Sequence, residues 1–209
     1  LMQLARQNQF DTIYHEHFSY LSFTTVQEVF GSHGLRLFDV EELTTHGGSL
    51  RIFACHADHP TRQNEPSVDR MVEAEKKEGM RDLAWYTAFG DRVRATKRQL
   101  LDFLIGAKSK GCSIVGYGAP GKGNTLLNYC GIRTDLLDYT VDRNPYKHGR
   151  FTPGTRIPIH PPERIAETKP DVILILPWNL QKEIAEQLSY TAEWGAELVI
   201  PIPTATVIS

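Results

Sequence analysis

The stretch Asp11 to Ser22, DTIYHEHFSYLS, gathers Tyr14, His15, Glu16, His17 and Tyr20 within twelve positions. Imidazole titrates near neutrality, a carboxylate accepts protons and a phenol can donate or accept a hydrogen bond. Residues of these types, set close together, suit the handling of a proton. A hydrogen-bond network at the start of a helix would use Tyr14, Glu16 and His17 equally well, without chemistry. His15 is expected to point away from its neighbours and take no part.

A second candidate is the loop GYGAPGKG, residues 116–123. Glycines let backbone N–H groups approach an anion closely, a helix expected from about Asn124 adds its dipole, and Lys122 adds a charge. A phosphate or diphosphate suits such a loop. Gly116, Gly118 and Gly121 read G-x-G-x-x-G, and Asp142 ends the next strand near where a dinucleotide fold carries its ribose acid. NAD is therefore one reading. Pro120, which removes a donor and stiffens the loop, and Lys122 both depart from it. The Walker pattern does not fit, because Asn124-Thr125 stands where Lys-Ser/Thr would be needed. Further anion contacts could come from Arg143, Lys147 and Arg150, or from Pro177 and Asn179. Trp178 could stack on a base or sit at the rim of a core.

Three zones position these residues. Residues 1–60 show Thr24 with Gln27 as a capping box, a helix marked by Val26, Val29 and Phe30 and stopped near Gly34, then strands LRLFDVEEL and SLRIFACH. Residues 61–108 are rich in Glu, Lys, Arg and Ala and read as a helical connector, with breaks or kinks expected at Gly79 and Gly90. Residues 109–209 alternate strand and helix, from SIVGYG through NTLLNYCG, LLDYTVDRNP, PPERIAETKP and DVILILP to LQKEIAEQLSYTAEWG and AELVIPIP. The near-continuous apolar run DVILILP is that of a parallel strand covered on both faces. The alternation predicts a doubly wound α/β domain with a mostly parallel sheet.

Bulk properties exclude more than they assign. With 209 residues, 23% charged and a formal net charge of -2, nothing indicates a nucleic-acid surface. Cys55, Cys112 and Cys130 are odd in number and widely spaced, so neither a zinc knuckle nor a disulfide framework is expected, and no metal ligands are assigned. Reduced thiols suit a cytoplasmic setting. Apolar runs are of strand length, so no membrane span is expected. The opening LMQLARQNQF, with no initiator-like start and no strand, suggests a piece of a longer protein.

YHEHFSYLS, HGGSLR, GYGAPGKGNTLLNYCG, YTVDRNPYKHGR and IPIHPPERI, in this order, resemble the carboxyl-terminal half of the deoxysugar C-methyltransferase family, whose members use S-adenosylmethionine on nucleotide-linked 4-keto sugars. The resemblance runs over essentially the whole chain. It implies a cysteine-rich zinc module and a class I S-adenosylmethionine domain ahead of a Rossmann-like carboxyl domain. Residues 1–60 would be the last helix and strand pair of the middle domain, and residues 109–209 the holder of a nucleotide-diphosphate sugar of dTDP type. His17 would take the proton beside the keto group, with Tyr14 and Glu16 orienting the sugar or stabilising the enolate. Gly116, Gly118, Lys122, Gly123, Asn124 and Lys147 would bind the substrate, and Asp142 would meet a ribose or base, or cap a turn. Without the missing modules, the chain alone is expected to be inactive and to bind S-adenosylmethionine weakly. A nucleotide-sugar or NAD-binding module without catalysis is the alternative.

Overall fold

The computed structural model describes residues 1–208, which divide into two compact units. The first comprises residues 1–9 and 17–91, and the second residues 10–16 and 92–208 of the described chain. The dividing point at Asp91 falls within a single helix.

In the first unit, α1 (Met2–Arg6) and α2 (Phe23–Gly31) precede the antiparallel pair β1 (Leu35–Leu43) and β2 (Ser49–His56). Both strands fall at the residues that period-two patterning predicts. Gly48, between them, has φ 116°, and a Cβ there would lie 2.7 Å from Gln3 Cγ, so only glycine fits this approach. α3 (Pro66–Glu78) closes the core, where Met2, Phe23, Leu37, Val40, Val68, Met71 and Met80 pack together.

The cap of α2 differs from expectation. Ser22, not Thr24, is the N-cap, and its hydroxyl accepts from Thr25 N–H at 3.0 Å. Buried Glu75 of α3 takes the Phe23 and Thr24 N–H groups at 2.6 and 2.8 Å and the Thr24 hydroxyl at 2.6 Å. A carboxylate from another helix thus takes the Thr24 N–H that the predicted box assigned to the Gln27 side chain, and the Phe23 N–H besides.

α3 ends at Gly79 in the left-handed conformation, as glycine at a helix stop should. Gly90 does not interrupt α4 (Leu83–Ser109). One glycine in a helix interior costs only about 1 kcal/mol, which 27 residues of helix can absorb.

The second unit holds β3 (Ile114–Tyr117), α5 (Gly121–Cys130), β4 (Thr140–Val141), β5 (Ile159–His160), α6 (Arg164–Thr168), β6 (Val172–Ile175), α7 (Gln181–Gln187), β7 (Glu197–Ile200) and β8 (Thr206–Val207). The sheet order is β5-β4-β3-β6-β7-β8, with every neighbouring pair parallel except β7–β8. All four residues of β6 are buried, as its unbroken apolar run requires. Val115, Val141, Ile173, Ile175 and Leu198 from four strands meet Ile165 of α6 and Ile184 of α7 in one core. Short β5 and the antiparallel edge strand β8 have too few residues to show a period and escape the sequence reading. The single helix expected from Leu180 breaks into α7 and a 3₁₀ segment, Ser189–Trp194.

Candidate functional site

The chain adds β4 and β5 on one side of β3, then returns to lay β6 on the other. The switch point lies between the carboxyl ends of β3 and β6, where open α/β sheets gather ligands. Two loops leave from there, Gly118-Ala119-Pro120 and Leu176-Pro177-Trp178.

α5 starts at Gly121, three residues before the expected Asn124, so Lys122, Gly123 and Asn124 all lie in its first turns. Pro120 is the N-cap and provides no side-chain cap. The Gly121, Lys122 and Gly123 N–H groups have no intrahelical acceptor by geometry and face outward at the positive end of the dipole. Not every glycine here serves a ligand. A Cβ on Gly116 would lie 2.6 Å from Thr140 Oγ1, so β3 and β4 need its absence. Gly118, at φ +85°, would place a Cβ 2.7 Å from Pro177 Cγ, and Gly123 one 3.0 Å from Leu176 Cβ. Gly118 and Gly123 thus let the two loops and α5 approach one another, while Gly116 serves the sheet.

Asp142 and Lys147 form a closed pair beside the loop. Asp142 Oδ2 accepts from Lys147 Nζ at 2.9 Å and from Ala119 N–H at 2.8 Å, while Oδ1 accepts from Asn144 N–H at 2.8 Å. Lys147 also donates to the Ala119 carbonyl at 3.0 Å. Burial alone would raise the Asp142 pKa, but hydrogen bonds from Asn144, Lys147 and Ala119 outweigh it and hold the carboxyl below its usual range. Both oxygens are committed to shaping the loop, which is the turn-capping geometry.

Lys122 is placed differently. Its half-buried ammonium donates to the neutral Asn179 Oδ1 at 2.8 Å and stands 4.7 Å from the centroid of the Trp178 ring. Desolvation lowers its pKa, with the charge of Asp11 opposing. Trp178 is buried, its face occupied by Lys122 and its indole N–H donated to Asp11 Oδ2 at 2.7 Å, so it belongs to the rim and core and not to a free stacking platform.

Asp11 is the residue that sequence reasoning missed. It has no exposed surface, and its Oδ1 finds no hydrogen-bond partner. Burial pushes its carboxyl up to about 6, against the Trp178 hydrogen bond and the Lys122 charge. The one available signal was an aspartate enclosed by Phe10 and Ile13. The side-chain oxygens of Asn124 in α5 and Gln181 at the start of α7 are likewise buried without partners.

The Tyr14–His17 stretch forms a turn rather than a helix start, because α2 begins only at Phe23. Tyr14 and Glu16 belong to the second unit and His17 to the first. The half-buried Tyr14 ring stands 3.6 Å from where a Gly121 Cβ would be, against the first turn of α5. Glu16 and His17 are exposed, and the His17 ring lies edge-on to Tyr20 at 6.0 Å between centroids. The structure thus brings Tyr14 to the glycine loop at Gly121, and separately brings Lys122 and Trp178 together. Among the described residues no group of three His, Cys, Asp or Glu is placed to hold a metal, and no helix is long and apolar enough to cross a membrane.

Strand order and parallel pairing define the second unit as a Rossmann-like α/β domain. Residues 44–203 match the model of the C-methyltransferase C-terminal domain, and the chain belongs to that methyltransferase family. It is 40% identical over 211 aligned residues to C-methyltransferase NovU of Streptomyces niveus, an alignment covering 100% of this chain and 50% of that protein. The chain therefore spans about half the length of this curated relative.

Proposed function

We propose that the chain is the substrate-binding half of an S-adenosylmethionine-dependent C-methyltransferase acting on a nucleotide-linked 4-keto deoxysugar, with a diphosphate of dTDP type held at the glycine loop. The observation that carries this reading is Lys122. A half-buried ammonium with a neutral hydrogen-bond partner stands in the first turn of an uncapped helix, at the switch point of a parallel sheet. A diphosphate supplies the charge that Asn179 lacks and the acceptors that three helix N–H groups need.

In this reading His17 removes the proton from the carbon beside the keto group. The C–H electron pair becomes the enolate, and the enolate carbon forms the new C–C bond. A proton on such a carbon is weakly acidic, so a positioned base and hydrogen-bond donors aimed at the oxyanion both lower the barrier. Tyr14, already against α5, is the residue able to contact the sugar beyond the diphosphate. S-adenosylmethionine would supply the methyl group, its S–CH3 bond breaking as the C–C bond forms and the neutral thioether leaving. In this reading the chain contributes sugar-nucleotide binding and proton handling.

The NAD reading weakens because both oxygens of Asp142, the would-be ribose acid, are engaged within the protein. Calorimetric titration of the chain with dTDP, and in parallel with NAD⁺ and S-adenosylmethionine, tests the proposal. Saturable dTDP binding that Lys122→Ala weakens about tenfold, the loss of one charge-assisted contact, is expected. Binding of NAD⁺ with none of dTDP would sink it.

A further inference from the structure

Asp11 is a costly residue to bury for structure alone. It is fully buried, one oxygen is left without a partner, and Lys122 is the charged group that faces it, with Trp178 and the backbone of Asp11 and Thr12 as its donors. Buried carboxylates with incomplete pairing are costly, and they gather where a site requires them. The surroundings of Asp11 lead to the anion site from two directions. Through the indole N–H it fixes Trp178, whose ring lies beneath the Lys122 ammonium. Along its own segment, Phe10 packs on Tyr129 of α5 with ring centroids 5.1 Å apart, and Tyr14 packs on Gly121 at the opposite end of the same helix. Residues 10–16 belong with α5 in the second unit, although the chain on either side of them belongs to the first.

We propose that Asp11 is a positioning residue of this site: by holding Trp178 it seats Lys122 for the diphosphate, and by anchoring its own segment to the second unit it sets Tyr14 beside the same helix. The inference rests on the reading that the α5 loop holds a diphosphate. It joins the tyrosine that meets the sugar and the lysine that meets the phosphate through the Asp11–Trp178 hydrogen bond.

The test is titration of the full chain with dTDP, using wild type, Asp11→Leu, Asp11→Asn, Trp178→Phe and the Asp11→Leu/Trp178→Phe double variant, with thermal unfolding of each. Asp11→Leu and Trp178→Phe are each expected to weaken dTDP about tenfold, and the double variant no further than the worse single, because both remove one interaction. Asp11→Asn, which keeps an acceptor for the indole, is expected to restore most of the affinity lost in Asp11→Leu. Unfolding midpoints that fall while dTDP affinity stays within about twofold of wild type would show a merely structural role and overturn the inference. Losses that multiply in the double variant would overturn it too. If Asp11→Leu does not fold, Trp178→Phe and Asp11→Asn still decide. A wild type that ignores dTDP removes the diphosphate reading and this inference with it, whereas loss in Lys122→Ala alone, with the Asp11 and Trp178 variants unmoved, removes only the inference.

Discussion

Two acid–base pairs flank the same glycine loop and differ in completeness. Asp142 and Lys147 touch at 2.9 Å, and the remaining lone pairs of the carboxylate are met by backbone N–H groups. Asp11 and Lys122 influence each other by charge, but each hydrogen-bonds to a neutral group, Trp178 and Asn179. The protein's own donors hold the Asp142 carboxyl below its usual range, while burial drives Asp11 up to about 6 and lowers Lys122. A closed pair has little left to offer a ligand and shapes the loop. The open pair leaves an ammonium with unused hydrogen-bonding capacity, which is what an anion site needs.

The largest expected effect separates the two by pH. A carboxyl raised from 3.8 to about 6 on folding contributes stability below about pH 4 that is lost as pH rises through 6, on the order of 3 kcal/mol. Asp142, held low, behaves oppositely. Its contribution is present above 3.8 and is lost as pH falls through its folded value. Denaturant unfolding of wild type against Asp11→Asn should therefore diverge by that amount between about pH 4 and 7. Parallel curves across this window would erase the contrast.

Next in size is Asp142→Ala. It strands the Ala119 and Asn144 N–H groups and the Lys147 ammonium, and at neutral pH it should cost about 2 kcal/mol in unfolding free energy. A loss under half of that would mean water replaces the carboxylate easily. The smallest effect is expected from Lys147→Ala. A pair with Lys147 36% exposed is worth about 1 kcal/mol or less and weakens with salt. In dTDP titrations this change should cost about threefold at most, against about tenfold for Lys122→Ala. Equal losses at both lysines would place the diphosphate between them and close the distinction.

The sequence made β1, β2, β6 and the α3 stop at Gly79 legible because each carries a local signal: period-two alternation, an unbroken apolar run, a glycine that can take positive φ. It also singled out the loop 116–123, whose glycine density is unusual whatever the fold. Asp142 was visible as an acid at a strand end, but its two possible uses could not be separated while its partners lay in other segments. Asp11 was passed over because one aspartate in an apolar setting has no spacing to recognise.

What the sequence determined by itself is the alternation of elements and the residue types at the ends of strands, since both follow from short-range periodicity and backbone sterics. Tertiary structure alone decided which polar groups are satisfied. Glu75 replaces the expected cap of α2 from 51 residues away, and Trp178 reaches Asp11 across 167. Such pairings depend on burial and on where the chain returns, which no local pattern encodes. They are what separates Lys147, paired with a carboxylate, from Lys122, whose hydrogen-bond partner is neutral.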